Sequence, residues 1–371
     1  MSNAIQHQPD DTRAAVLELS HVTKYYGTFK AVDDVSFVLP RSSICGFLGP
    51  NGAGKTTTIR MILEIIKPTS GTVTVLGRPS ALEVRQRIGY LPEEKGLYKK
   101  MKTWAVIAYF ATLKGMSKKA AKLRAYELLE RYGLKDFANK PTDALSKGMG
   151  QKVQMLASLA HDPEFVILDE PFSGLDPVNQ QVMEEIIRDM AARNRTVLFS
   201  THVMQHAERL CDRILLIAKG KMIFDGTIPE AKEIIPRRVR LETEDDVAPL
   251  RELTEVKSLH LIDTANELNG VRPSSVAAAV GGVGHEDNSQ PIVHPDVAAT
   301  GDGRTPPGVA PASNGSTHWE LELADHADPQ AILQTCFARG IRLRSFTQSD
   351  PTLHEVFMRL VGPEAKEASF R

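Results

Sequence analysis

The chain has 371 residues, 42% of them hydrophobic, enough for two or three domains with real cores. Basic residues (45) and acidic residues (46) leave a net charge of −1 and a pI of about 6.8, so no strong field points to nucleic acid as a partner. Cys45, Cys211 and Cys336 lie far apart with no C-x-x-C pair, which fits a reducing compartment and excludes a disulfide framework.

Taken in chain order, residues 1–13 are polar and read as a disordered N-terminus; they lack the apolar stretch of a secretory signal. No segment approaches the roughly 18 apolar residues of a membrane span. The most apolar low-complexity run, 276–284, is short and built from Ala, Gly and Val. The expectation is a chain soluble by itself, reaching a membrane only through a partner.

Residues 16–19 and 31–39 predict an antiparallel strand pair. The apolar run 44–48 predicts a buried strand, and 57–66, with Ile59, Ile62, Leu63 and Ile66 at helical spacing, a helix. Between them lies Gly49-Pro50-Asn51-Gly52-Ala53-Gly54-Lys55-Thr56, which fits the phosphate-binding pattern G-x-x-x-x-G-K-[ST]. Its glycines let the loop curl with no side chain between backbone N–H groups and a polyphosphate. The helix N-terminus adds partial positive charge under the phosphates. Lys55 would reach the β- and γ-phosphates and the Thr56 hydroxyl would ligate Mg²⁺. The nucleotide-contacting stretch is taken to run on through Thr57.

Residues 72–77 predict another strand, and 94–162 a helical subdomain in which Leu123, Leu128 and Leu129 are expected to share a face. Two fully apolar strands follow, 165–168 and 196–199, alternating with a helix at 182–193. That alternation predicts parallel strands buried on both faces. The first ends in Asp169-Glu170, where Asp169 would hold Mg²⁺ through water and Glu170 would act as general base toward the attacking water. Residues 215–217 and 221–224 predict a closing hairpin. The domain carrying the phosphate loop is therefore set at 14–235.

Near Pro236 the pattern changes. Strands at 238–244, 258–263, 319–323 and 341–346 and helices at 249–256 and 329–339 predict a small ferredoxin-like α+β domain, 236–362, with a tail at 363–371. It is interrupted at 266–317 by a stretch rich in Gly, Ala, Pro and Ser, read as a disordered insertion. His285, Asp287 and His294 within it are too sparse to predict a metal site.

From about residue 16 to 227 the chain resembles the ATP-binding cassette (ABC) ATPases. The resemblance rests on the phosphate loop, on Asp169-Glu170 with Pro171-Phe172-Ser173-Gly174-Leu175-Asp176 directly after, and on Leu145-Ser146-Lys147-Gly148-Met149. The last stands where the family carries L-S-G-G-Q, with Lys147 and Met149 as departures. It implies a P-loop α/β core with an antiparallel β subdomain and a helical subdomain. ATP and Mg²⁺ are the implied cofactors, and the implied assembly is a homodimer, or a heterodimer with a second ATPase subunit, docked on an integral-membrane permease at the inner face of the cell membrane. Ser146 and Gly148 would open a helix pointing at the γ-phosphate held by the other subunit, although Leu-Ser-x-Gly alone is also an ordinary helix N-cap. His202 matches the family's switch histidine and would bind the γ-phosphate. The loop from Ser173 to Asp176 matches the segment that crosses the dimer interface.

Tyr26 stands where the family places an aromatic ring against adenine, with Tyr25 as the competing candidate. Glu93 replaces the usual Gln of the segment Ile88-Gly89-Tyr90-Leu91-Pro92-Glu93; it would still offer an oxygen to Mg²⁺ and water, at the cost of a negative charge beside the triphosphate. Pro92-Glu93-Glu94, Gly96-Leu97-Tyr98, the altered signature and Pro351-Thr352-Leu353-His354-Glu355-Val356-Phe357 are similar to sodium-extrusion and related exporter ATPases. Two rival readings are a soluble ABC ATPase acting on ribosomes or DNA, and a nucleotide-binding module without turnover.

Overall fold

The computed structural model describes residues 15–94, 96–262, 317–324 and 327–362. The chain forms two compact units, one made of the described residues up to Ile235 together with those from Pro351, the other of Pro236–Asp350.

In the first unit, β1 (Ala15–Tyr26) and β2 (Phe29–Pro40) form a long hairpin, and β3 (Ile44–Leu48) runs into α1 (Lys55–Ile62). Glu64, at φ +57°, ends that helix short of the expected residue 66. β4 (Ser70–Val75) pairs with β1, completing a three-stranded antiparallel sheet in the order β2-β1-β4. After β5 (Ile88–Leu91) come α2 (Thr103–Leu113), α3 (Lys118–Arg131) and α4 (Lys147–Leu159). These helices bury Val106, Ile107, Ala111, Ala121, Ala125, Leu128, Leu129 and Val153.

Leu123, expected to share that face, is 59% exposed. It lies five residues from Leu128, about 140° around the helix, and the small residues Ala121 and Ala125 occupy the inward face instead. The chain continues through β6 (Phe165–Asp169), α5 (Pro177–Ala192), β7 (Thr196–Thr201), α6 (Met204–Leu210), β8 (Arg213–Ala218), β9 (Lys221–Thr227) and α7 (Ile228–Lys232). The central sheet has the order β5-β6-β7-β3-β8-β9, parallel except for β9. Every residue of β3, β6 and β7 is buried, as parallel strands covered on both faces require. The arrangement is a P-loop α/β core with an antiparallel β subdomain and a helical subdomain.

In the second unit β10 (Arg238–Thr243), β11 (Val256–Ile262), β12 (Thr317–Leu323) and β13 (Leu343–Ser349) form an antiparallel sheet ordered β11-β12-β10-β13. The expected first helix at 249–256 is only a 3-10 turn, Ala248–Glu252, because Val256 already belongs to β11. The other helix is α8 (Pro329–Ala338); Gly340, at φ +73°, closes it and lets the Ile341 N–H reach the Cys336 carbonyl at 2.9 Å, so the last strand starts at Leu343 rather than 341. Thr317, expected to end the insertion, is the first residue of β12. The rest of that insertion, the N-terminal 13 residues, the tail at 363–371 and His285, Asp287 and His294 lie outside the described residues.

The domain expected at 236–362 is corrected at its end. Helix α9 (Leu353–Val361) belongs to the first unit, where Leu353, Val356 and Phe357 share an apolar cluster with Leu48, Met204, Ala207, Leu216, Ala231 and Ile235. Its apolar face recurs at helical spacing, and the core of the first unit, not the small sheet, is what covers it.

Candidate active site

The parallel strands end side by side, and the loops at their C-terminal edge carry the chemistry. Between β3 and α1, the loop 49–54 is held against its surroundings too tightly for a side chain at Gly49 or Gly54. A Cβ on Gly49 would lie 2.2 Å from the Ile217 carbonyl oxygen, and one on Gly54, at φ +107°, 2.7 Å from that of Ala31. Backbone bonds from Ala53 N to the Pro50 carbonyl (3.2 Å) and from Gly220 N to the Ala53 carbonyl (3.0 Å) fix the curl. Asn51 and Gly52 stand exposed at its tip, while Lys55, Thr56 and Thr57 open the helix.

The Lys55 side chain is 6% exposed, and its ammonium donates to the Gly49 carbonyl at 2.7 Å and the Pro50 carbonyl at 3.1 Å. It stands 3.6 Å from Glu170 Oε1. Burial pulls its pKa below the usual lysine value; Glu170, Asp169 and Glu93 pull the other way. A buried cation with one close carboxylate among the described residues is a receptor for further negative charge.

β6 is H-bonded to β7, and β7 to β3, so Asp169 and Glu170 arrive beside the phosphate loop. Asp169 Oδ1 accepts from the Ser200 hydroxyl at 2.5 Å and lies 3.4 Å from Thr56 Oγ1. Among the described residues its buried Oδ2 has no hydrogen-bond partner. An orphaned carboxylate oxygen beside a threonine hydroxyl is the hard-oxygen donor set that a hydrated divalent cation takes.

Glu170 is buried with its backbone in the left-handed region, φ +49°, a strained setting for a residue with a side chain. Its N–H donates to Ser200 Oγ at 3.0 Å, which helps hold that geometry. Both carboxylate oxygens lie 3.0 Å from His202 Nδ1. A carboxylate oxygen accepts, so in this contact the half-exposed His202 ring donates through Nδ1. Glu170 thus meets Lys55, His202 and Ser200 at one point.

Ser200 was not expected from the sequence. Its signal is a buried serine directly after the apolar run Val197-Leu198-Phe199, visible only once the strand is known to sit beside Asp169. Gln151 is a second such residue: buried on α4, it donates to the Pro171 carbonyl at 2.7 Å and so ties the signature helix to the residue after Glu170.

Other expected residues lie elsewhere. Ser146 is the N-cap of α4, its hydroxyl accepting from Met149 N at 3.3 Å. A Cβ on Gly148 would lie 2.5 Å from Asn179 Nδ2, so that glycine lets α4 pack on the start of α5. Asp176 caps α5, and hydrogen bonds from Asn179 hold its pKa below the usual carboxylate value. No hydrogen bond or ion pair among the described residues joins 146–149 to the loop 49–57. Glu93 is exposed beyond the end of β5. Tyr25 and Tyr26 are both exposed at the tip of the first hairpin, under Lys30 and Lys24 respectively.

The ABC transporter family model matches residues 32–173, and that of the ATP-binding protein DrrA1-3-like C-terminal domain matches 288–361. The chain is 43% identical over 233 residues to the uncharacterized ABC transporter ATP-binding protein YhaQ of Bacillus subtilis, covering 62% of this chain and 78% of that protein. It is 38% identical over 208 residues to the ABC transporter ATP-binding protein NatA of the same organism, covering 55% and 85% respectively. A solved ATP-binding subunit of an ABC transporter superposes with a TM-score of 0.55 at 30% identity, over 59% of this chain and 92% of the other. The chain belongs to the ABC transporter ATP-binding proteins, and it is the ATP-hydrolysing subunit of such a transporter.

Proposed function

We propose that two copies of this subunit close around two ATP molecules, each gripped by residues 49–57 of one copy and the helix start at Ser146 and Gly148 of the other, and that this closure drives a separate membrane permease. The observation that carries the reading is Glu170, buried and strained, 3.0 Å from His202 and 3.6 Å from Lys55 at the mouth of the phosphate loop. In this mechanism a water attacks the γ-phosphorus and Glu170 takes its proton. The bond to the β-phosphate oxygen breaks, its electron pair leaves with ADP, and inorganic phosphate is released. Lys55 balances the phosphate charge; His202 orients Glu170 and senses the γ-phosphate. Loss of the γ-phosphate removes the bridge between copies, so the pair opens, a ligand-driven shift between two states.

Thr56 and Asp169 would hold Mg²⁺, which when bound neutralises phosphate charge, and Glu93, whose charge also acts on Lys55, is the further oxygen donor in this reading. Asp176, at the cap of α5, faces the partner copy in this reading, and Tyr26 supplies the ring for adenine. The likeness to sodium-extrusion exporters around Glu93, Lys147 and 351–357 supports export as the direction, with the subunit peripheral on the inner membrane face. The unit at 236–350 is an accessory domain.

Glu170→Gln tests the centre of this reading. Phosphate release should fall by roughly 100- to 10,000-fold, while MgATP holds the variant as a dimer by light scattering. Parent-like turnover in the variant overturns the assignment of the base, and a variant that stays monomeric in MgATP overturns the sandwich.

A further inference from the structure

The chain leaves the first unit after Ile235 and returns to it at Pro351, with a proline, Pro236 or Pro351, at each crossing. One side chain touches both ends of this excursion. Glu208, on α6, accepts the Leu353 N–H at 2.9 Å, just after the return, and lies 3.5 Å from Lys232 Nζ, just before the exit. The Leu353 amide is a free donor of the first turn of α9, so a carboxylate there satisfies it and meets the positive end of the helix. Thr352 and Glu355 complete the cap with a reciprocal pair of bonds.

α6 is also the helix that follows the switch histidine: Met204 is two residues after His202 and Glu208 is six. Met204 and Ala207 share one apolar cluster with Leu353, Val356 and Phe357 of α9 and with Leu48, the residue immediately before the phosphate loop. A shift of α9 or α7 is therefore felt where His202 meets Glu170, because packed cores transmit displacement rather than absorb it.

We propose that Glu208 is a positioning residue for ATP hydrolysis, clamping both chain crossings of the 236–350 unit onto α6 and thereby setting His202 against Glu170. The inference rests on the hydrolytic reading above and adds an input to it: what loads the accessory unit acts on the γ-phosphate sensor through this clamp.

The test uses the full chain and two variants. Glu208→Ala removes the acceptor. Glu208→Gln keeps an oxygen for the Leu353 N–H while dropping the charge. The expected result is a kcat lower by about tenfold in Glu208→Ala with KM for ATP unchanged, and recovery in Glu208→Gln, since small displacements remote from the chemistry cost that much. Amide hydrogen exchange across Met204–Leu210 and Leu353–Val361 should be faster in Glu208→Ala alone. Equal exchange in parent and Glu208→Ala overturns the clamp whether or not the chain turns over ATP. Faster exchange with unchanged kcat overturns the link to His202. A parent chain without ATPase activity instead sinks the hydrolytic reading, and the exchange arm still decides the clamp.

Discussion

Lys55 concentrates the physics of the site in one side chain. Its ammonium is desolvated, and its closest counter-charge is a glutamate that the reaction needs for another purpose. Removing it should therefore cost ATP affinity. Lys55→Ala is expected to weaken ATP binding by about 10- to 100-fold, the equivalent of roughly 1.5–3 kcal/mol of charge-assisted hydrogen bonding. The nucleotide-free protein should unfold at a lower temperature, because Glu170 stays buried without its lysine and the Gly49 and Pro50 carbonyls lose their donor. Titration calorimetry and a thermal melt check both halves, and undiminished affinity contradicts the phosphate role. Lys55, Thr56, Asp169, Glu170 and His202 were legible in the sequence because each sits in a contiguous motif whose spacing states its chemistry. Ser200 and Gln151 were not, since their partners, Asp169 and Glu170 for one and Pro171 for the other, are 20 or more residues away.

At the scale of elements, the signature helix α4 separates a local role from a remote one. The Ser146 hydroxyl caps its own helix, a bond worth about 1 kcal/mol. The proposed dimer gives the same hydroxyl to a phosphate held by the other copy. Ser146→Ala should therefore lower stability by about 1 kcal/mol in urea unfolding and reduce phosphate release, while the affinity of the monomer for ATP is unchanged. ATPase activity equal to the parent's would leave Ser146 a helix cap and nothing more. Elements with strong periodicity or an unbroken apolar run, such as β3, β6, β7 and α5, were readable. Element ends were not. α1 stops at Ile62 because Glu64 turns left-handed, and the expected helix at 249–256 gives way to β11, whose pairing with β12 outweighs local preference.

On the scale of the whole molecule, acid stability reports how the helical layer is joined to the sheet. His161, just past α4, lies with Nε2 3.2 Å from the Ile88 carbonyl of β5, to which Lys114 also donates at 2.9 Å. Burial, then the Lys114 charge, push its pKa down from 6.5 to about 4. The folded state holds this imidazole neutral while the unfolded chain protonates it near 6.5. Its contribution is therefore complete above about pH 6.5 and is lost as pH falls toward 4. The urea midpoint should drop across that window, and His161→Gln, which keeps an amide donor, should flatten the drop relative to the parent. An identical slope in both proteins would remove His161 from the account.

What the sequence determined by itself was local: eight consecutive residues specify the phosphate loop, because glycines, a lysine and a threonine within one turn leave few other backbone paths. The tertiary structure alone decided which distant residues converge. Sheet order brings β6 and β7 beside β3, and so Asp169, Glu170, Ser200 and His202 to the loop's mouth. It also decided that α9 returns to the first unit. An amphipathic helix declares that one face must be covered but not by what, and the covering surface is chosen by packing between segments far apart in the chain.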